Sequence, residues 1–361
     1  MPVLVPGQQD QQIIGSVFDF TSNRLDLEFQ KMSMLGDKHR TVWGLGYRKD
    51  TVKGISVIGT NDSESMETYR AFGNLEYRLS EHILLNVGTT YEDNNVVKGK
   101  FSSRLGFNLT MVKGHVLKLA VAESWRQPYL AEQQHDVAIR LNDGSVLEQI
   151  QISSGKLDPE RLRSYEIEYV GHWLNRRLLT EVKVFREELE REIEFVADPF
   201  YPEIVSLFNL GTILDKNGGA TDTVGAEAGV SWEFTNQSRL WATYAFAEVD
   251  QDCQDLSFRC FHENDATPRH TTSLLMSHNF GNHWEGSVGY YYLDEMAWIF
   301  WGGDRESYDR VDLRIAKSFI FSGSKLKVEL IGQNIGGDYR EFNENNVFET
   351  RTFIRATLQF H

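Results

Sequence analysis

The 361-residue sequence contains no run that approaches twenty apolar residues, the length that a membrane-spanning helix needs. If this chain crosses a bilayer, it must therefore do so as a closed β-barrel, because backbone polar groups in hydrocarbon have to be paired internally. Basic residues are scarce, 37 Lys and Arg against 52 Asp and Glu, and the net charge of -15 argues against a nucleic-acid partner. Proline is also rare, with seven residues, so few positions would interrupt a hydrogen-bonded strand ladder.

Catalytic motifs are missing as well. The sequence has no Gly-x-Ser-x-Gly elbow, no His-Glu-x-x-His and no paired Cys and His nucleophile motif. Asp250, Asp252 and Asp255 are close together, but the glycine turn and terminal glutamate of a hand-type calcium loop do not follow. We therefore predict no enzyme activity, no catalytic residue, no metal site and no cofactor.

What the sequence does contain is about fifteen segments of roughly ten residues in which apolar and polar side chains alternate. In segment 350–360, Ile354, Ala356, Leu358 and Phe360 share one face, because side chains change face at each strand residue. One face suits lipid and the other suits water. A soluble β-sandwich or propeller with aromatic core strands is the alternative for this pattern alone.

The connections between the predicted strands fall into two alternating classes. Short turns such as 35–38 and 112–114 alternate with mostly long loops, which is typical of outer-membrane barrels. The long loops are predicted at 127–162, 197–221, 251–268, 298–307 and 336–349. The strands are predicted at 22–34, 39–54, 66–79, 82–96, 100–111, 115–126, 163–174, 178–196, 222–234, 238–250, 269–280, 283–298, 306–320, 325–335 and 350–360.

Segment 176–196 is ambiguous, because its apolar residues also recur at helical spacing among Glu and Arg. We predict a strand, since Thr180, Val182 and Val184 alternate with charged residues and the meander requires a strand here. The stretch 217–219 (NGG) is predicted to be a flexible turn before the chain re-enters the wall.

Several ordered motifs give the sequence a resemblance to the barrel region of TonB-dependent outer-membrane receptors. No single motif is specific, but their order is. They are an Arg-x-Pro segment at 123–132 (ESWRQPYLAE), a Pro-Glu and Ser-x-Glu segment at 156–169 (KLDPERLRSYEIEY), Val-Phe-Arg at 184–186, Thr-Pro-Arg-His at 267–270, and Gln333-Asn-Ile followed by Tyr339.

The resemblance implies an all-β, antiparallel transmembrane β-barrel, of which about 15 strands at 22–361 would be the C-terminal part of a barrel of about 22 strands. It implies that the plug, the TonB box and roughly seven strands are absent. Residues 1–21 are predicted to be a truncated start or loop, without a signal peptide. His361 follows the terminal Phe360, where the family usually ends on the aromatic residue.

The same resemblance implies a receptor in the outer membrane of a Gram-negative bacterium that imports a scarce substrate. The expected partners are outer-membrane lipid, a small-molecule ligand and, through the missing plug and TonB box, the TonB complex. The transported ligand would be an iron complex such as a ferric siderophore, with haem, cobalamin or a glycan left open. A passive porin or a barrel-based surface adhesin is the competing class, because neither needs a plug or TonB.

The expected ligand-binding residues are aromatic and basic side chains at the extracellular rim, which would stack on a ligand or attract an anionic one. For the aromatic residues an interfacial girdle is the alternative, and for the arginines it is charge pairing within the wall. The candidates are Trp125, Arg126, Trp298, Phe300, Trp301 and Arg305.

The two cysteines, Cys253 and Cys260, lie in one predicted extracellular loop, and in an oxidising compartment we predict a disulfide between them. A pair of free thiols is the alternative. The nearby His262, Glu263 and Asp265 do not have the spacing of a zinc motif.

Overall fold

The computed structural model describes residues 13–14, 19–36, 38–141, 143–198, 212–252, 265–298, 303–321 and 323–360. Most of these residues lie in β-strands. In chain order the elements are β1 (Ile13–Ile14), β2 (Thr21–Leu35), β3 (His39–Lys53), α1 (Ile55–Ile58), β4 (Ser63–Arg78), β5 (Ile83–Asn94), β6 (Lys100–Val112), β7 (His115–Arg126), α2 (Leu130–Gln134), β8 (Asp136–Leu141), β9 (Val146–Ser153), β10 (Glu160–Trp173), β11 (Leu178–Asp198), β12 (Thr212–Trp232), β13 (Ser238–Asp252), β14 (His270–Gly281), β15 (Trp284–Leu293), β16 (Met296–Ala297), β17 (Asp304–Arg305), β18 (Tyr308–Phe321), β19 (Ser324–Gln333), β20 (Tyr339–Arg340), β21 (Val347–Phe348) and β22 (Arg351–Phe360).

Fifteen of these strands pair antiparallel, each with its neighbour along the chain, and form one continuous wall. The wall runs from β2 through β7, continues with β10 to β15, and ends with β18, β19 and β22. This confirms the predicted all-β antiparallel architecture of about 15 strands. One end of the wall, the turn rim, carries the short turns, and the other end, the loop rim, carries the long connections.

The cross-strand register separates two chemically different faces. Leu119, Ile167 and Val184 are register partners across β7, β10 and β11, so they project from the same face. On the opposite face, Glu329 forms ion pairs with Arg314 and Arg355, each at 2.6 Å. The apolar set forms the outward face, and the ion-paired set forms the inward face.

The ambiguous segment 176–196 is a strand, as predicted. β11 pairs with β10 from Leu178 to Glu190 on one side, and on the other side it pairs with β12 along almost its whole length. Its helical spacing of apolar residues is therefore overridden by pairing with two neighbours.

The predicted loop 197–221 is partly wrong. β12 already begins at Thr212, because its first residues pair with the end of β11, and both strands are 21 residues long. The predicted turn at 217–219 therefore lies inside β12, opposite a bulge in β11 between Glu190 and Ile193. The predicted loop 127–162 also contains regular structure, namely α2 and the β8–β9 hairpin.

Among the described residues, β2 pairs only with β3 and β22 pairs only with β19. The wall thus has two strand edges that no described strand covers. Unpaired edges of this kind expose backbone donors and acceptors that hydrocarbon does not satisfy.

The two helices are short, with four residues in α1 and five in α2. In the described part of the chain, no helix combines the length and apolar character needed to cross a membrane. Both helices contribute instead to a small apolar core at the loop rim, on the inward side of β3 and β4. This mouth cluster consists of Val52, Val57, Ile58, Met66 and Leu130.

Candidate functional site

Four of the six candidate ligand-binding side chains lie in the described part of the chain, and they occupy three separate places at the loop rim. Arg126 lies on the inward face at the end of β7, Trp125 lies on the outward face one residue earlier, and Trp298 and Arg305 lie in the loop between β15 and β18. Phe300 and Trp301 are outside the described residues, as are Cys253 and Cys260. The predicted disulfide and the roles of these two aromatic residues stay predictions.

Arg126 is bound by carboxylates of its own chain. Its guanidinium bonds to Glu160, and Nη1 donates to Glu132 at 3.0 and 3.2 Å. The same guanidinium lies 5.1 Å from the ring centroid of Tyr129. Arg126 thereby connects β7, β10 and the α2 segment, so its charge is already compensated where an anionic ligand would have to compete for it.

Trp125 faces the other way. Its register partner is Arg161, whose partner across β11 is Glu190, so this row forms a charged border of the outward face toward the loop rim. Successive strand residues point to opposite faces, so Trp125 and Arg126 cannot line one pocket. The structure does not bring these two candidates together.

A polar cluster that the sequence analysis missed fastens the β8–β9 hairpin over the inward side of the rim. Asp215 is fully buried, bonds to Nδ1 of His135, and accepts a hydrogen bond from Nε2 of Gln151 at 2.7 Å. We call His135, Gln151 and Asp215 the hairpin anchor. A parallel pairing of β9 with β12, including Gln151 opposite Ile213, lies beside it.

The α1 segment supports the same hairpin from the other side. Ile58 forms an isolated bridge with Asp136, the first residue of β8. Gly59 then turns the chain with φ of +68°, and an added Cβ there would lie 1.9 Å from Oδ2 of Asp136. The hairpin is therefore held at both of its long edges and covers part of the barrel mouth.

Arg305 lies within the loops rather than on their surface. It is 4% exposed, and its Nη2 and Nη1 donate to the carbonyl oxygens of Asp294 at 2.6 Å and Glu306 at 3.1 Å. Its Nε also lies 3.6 Å from Oε2 of Glu341. This arginine joins the β15–β18 loop to the β19–β22 loop, as a structural cation does.

Trp298 belongs to the same junction. Its ring meets the edge of Phe342 with a centroid distance of 5.9 Å, while Tyr308 stacks on Tyr339 at 4.0 Å. The backbone also joins the two loops, because the amide of Gly303 donates to the carbonyl of Phe342 at 2.9 Å. The aromatic side chains here pack the loops together.

Two adjoining cavities, of about 740 and 420 Å³, open at this junction and share Asp304, Arg305 and Glu306. Together they form what we call the rim cavity, and its charge is predominantly negative. Its lining includes three arginines, Arg269, Arg305 and Arg340, and eight acidic residues, Asp265, Asp294, Glu295, Asp304, Glu306, Asp338, Glu341 and Glu344.

Carboxylates in this number attract a ligand that presents positive charge or hydroxyl and amide donors. Within the described ranges, however, no group of three or more His, Cys, Asp or Glu side chains is arranged to hold a metal ion.

The model of the TonB-dependent receptor-like β-barrel family matches residues 4–335. The chain belongs to this family. A search of curated proteins found no match.

Solved structures show the same fold at low sequence identity. The ferric enterobactin receptor of Pseudomonas aeruginosa superimposes with a TM-score of 0.71 at 12% identity, covering 94% of this chain and 54% of that chain. The siderophore receptor PirA of Acinetobacter baumannii gives a TM-score of 0.69 at 12% identity, with 94% and 55% covered. The copper transporter OprC gives 0.65 at 14% identity, with 94% and 57% covered. The chain thus spans little more than half the length of these receptors.

Proposed function

We propose that this chain forms the wall and the external loops of a receptor in the outer membrane of a Gram-negative bacterium, and that the receptor imports a scarce substrate with TonB-supplied energy. The observation that carries the proposal is the two-faced wall: an apolar outward face, an ion-paired inward face, and a family-matching strand order. Lipid would cover the outward face, and the substrate would pass along the inward one.

The loop rim supplies the ligand-binding part of this proposal. The hairpin anchor holds the β8–β9 hairpin over the mouth, and Arg305 joins the two loops that form the rim cavity. Preorganised loops of this kind lose less conformational entropy when a ligand binds. The substrate would therefore bind to loops that are already ordered before it arrives.

A ferric siderophore is the first substrate candidate, since two of the structural neighbours are siderophore receptors. The acidic lining of the rim cavity favours siderophores whose exposed periphery is neutral or cationic over strongly anionic ones. Arg126 and Arg305 do not offset this preference, because both are paired with groups of their own chain.

The test is uptake of radiolabelled iron complexes by cells that carry the gene encoding this chain, compared with a strain from which that gene is deleted. We expect the deletion to abolish uptake of one class of complex, complementation to restore it, and a protonophore to block it. Among competing complexes, those with a cationic or neutral periphery should displace the label best. A large ion conductance that persists without a proton gradient would favour the porin instead, and binding to a surface partner without uptake would favour the adhesin.

A double variant tests the charge preference of the rim cavity separately. Asp304→Asn combined with Glu306→Gln removes two carboxylates shared by both parts of the rim cavity. We expect weaker binding of a cationic complex and unchanged binding of a neutral one of similar size. Equal loss for both complexes would show that the carboxylates shape the cavity rather than select charge.

A further inference from the structure

The outward face contains an apolar groove that lies across four strands on one side of the wall. It has a volume of about 540 Å³. Leu119, Ile167 and Val184 form its middle row, as register partners on β7, β10 and β11. Leu105, Phe107, Val121 and Tyr165 extend it on both sides. An elongated apolar groove on a lipid-facing surface fits an acyl chain better than a polar ligand.

Toward the loop rim, the same face becomes charged, beginning with Arg186, which shares the row of Val121 and Tyr165, lines the groove and is paired with Asp222. Glu123 pairs in register with Arg163, and the next outward row is Trp125, Arg161 and Glu190. The Arg163 guanidinium lies 3.2 Å from Glu123. The groove thus ends at a tryptophan in a charged border, where an amphipathic ring is stable at a membrane interface.

Three cations surround the Trp125 ring. Nζ of Lys100 lies 4.5 Å from the ring centroid, and the guanidinium carbons of Arg191 and Arg161 lie at 5.5 and 5.7 Å. Arg161 is also paired with Glu190. Among the described residues, Lys100 and Arg191 form no ion pair, although Lys100 starts β6 as the register partner of Glu92. Two of the three cations around the indole therefore lack a direct ion pair.

The position of Arg191 depends on the bulge in β11. The pairing with β12 shifts on both sides of Glu192, and Arg191 has a φ of +58°. A bulge of this kind inserts a residue outside the normal alternation and redirects its side chain. Regular alternation would have pointed a side chain at this position inward, because its neighbour Glu190 lies in the outward row.

Two other borders of the described outward face have different side chains. A second apolar groove of about 590 Å³, lined by residues such as Val288 and Leu313, lies across β14 to β19. Toward the loop rim its face leads to the pair Tyr292 and Asp309. On β12 and β13 the outward partners at the same border are Asp222 and Asp250. In the described part of the outward face, these two borders carry tyrosine and aspartate, whereas Lys100, Arg161 and Arg191 surround Trp125 above the first groove.

We propose that the groove and the Trp125 cluster bind a phosphorylated, acyl-chained lipid of the outer leaflet. Its chains would lie along Leu119, Ile167 and Val184, and its phosphate would sit between Lys100 and Arg191, with the headgroup against the Trp125 ring. Lysine and arginine are the usual side chains for phosphate, and within the described residues neither Lys100 nor Arg191 is engaged in an ion pair that a phosphate would have to displace. The proposal rests on the outer-membrane location in the proposed function and does not depend on any transported substrate.

The test uses the full chain, purified in neutral detergent, and native mass spectrometry of lipid binding. Diphosphorylated lipid A, its dephosphorylated form and phosphatidylcholine are compared for wild type and for the double variant Lys100→Gln and Arg191→Gln. Each cation near a lipid phosphate contributes roughly a fivefold gain in affinity, so we expect the double variant to bind lipid A about thirtyfold more weakly. Binding of dephosphorylated lipid A should be unaffected by the substitutions.

Two further variants keep the test interpretable. Lys100→Arg with Arg191→Lys retains both charges and should retain binding. Lys49→Gln removes an outward-facing cation that is paired with Glu67 at 2.9 Å and lies on distant β3, and it should bind like wild type. Three results would each overturn the proposal. Lys49→Gln could weaken lipid A binding as much as the double variant does, or the wild-type protein could bind phosphatidylcholine as tightly as lipid A. The third is that millimolar inorganic phosphate displaces lipid A completely. Because no uptake is measured, failure here leaves the proposed import function unaffected, and failure of import leaves lipid binding unaffected.

Discussion

Replacing Asp215 by alanine tests whether the hairpin anchor holds the β8–β9 hairpin over the mouth. Asp215 is fully buried and bonds to two hairpin side chains, His135 and Gln151, of which the latter donates at 2.7 Å. Alanine removes both bonds and leaves two polar side chains without this partner. The folded wall should persist, because Asp215 lies near the start of β12, before the segment from Ala220 onward that pairs with β13.

The expected size of the effect follows from these two bonds. A hydrogen bond to a charged group contributes about 1.5–3 kcal/mol, so the two together stabilise the docked hairpin by about 3 kcal/mol or more. Amide hydrogen exchange in β9 should therefore become roughly a hundredfold faster, provided that the hairpin opens locally rather than by global unfolding. Asp215→Asn keeps one acceptor for Gln151 and should give a smaller acceleration. The measurement is hydrogen–deuterium exchange of the protein in detergent, resolved by peptide.

The matched control is Asp143→Ala in the turn of the same hairpin. Asp143 is exposed, and its carboxylate accepts from the amide of Ser145 at 2.9 Å, within the turn itself. Exchange in β9 should hardly change in this variant. The reasoning is refuted if Asp215→Ala leaves β9 as protected as in wild type, or if it accelerates exchange equally in β13, which would indicate loss of the whole wall.

Three further predictions concern the same rim. Gly59→Ala places a Cβ 1.9 Å from Asp136 at a φ of +68°, so it should lower the stability of the docked hairpin by on the order of 1–3 kcal/mol and accelerate amide exchange in β8. Unchanged exchange would mean that α1 does not support the hairpin. Met66→Ala removes a side chain of the mouth cluster that is 2% exposed, and it should lower the free energy of unfolding in urea titrations by about 2–5 kcal/mol. The control Met32→Ala changes a residue that is 63% exposed and should alter this free energy by less than about 0.5 kcal/mol. Arg305→Gln removes buried donors to loop carbonyls, so limited proteolysis between β15 and β18 should become faster; an unchanged rate would show that the loops are joined by other contacts.

The wall follows from the sequence because its signal is local. A strand places alternate residues on alternate faces, so the pattern at Ile354, Ala356 and Leu358 identifies both the strand and its apolar face. The alternation of short turns with long loops adds the topology, since antiparallel neighbours can be joined by either. Even segment 176–196 was assigned correctly by its place in the meander, although its residue spacing also suits a helix.

The side-chain contacts at the loop rim, in contrast, could be identified only from the tertiary structure. His135 and Asp215 are 80 positions apart in the sequence, and neither has a local pattern that marks it as a partner of the other. Residue type alone selected Trp125, Arg126 and Arg305 as candidates. The register places Trp125 and Arg126 on opposite faces, and Arg305 is 4% exposed.

Local alternation thus determined the strands, their faces and the order of the wall, because each depends on neighbours one or two residues away. The tertiary structure decided which charges are compensated, where a bulge redirects Arg191, and how the loops close over the mouth. Those outcomes depend on pairing between segments far apart in the chain, and the free energy of such pairs is set by distance, burial and partner charge rather than by sequence spacing.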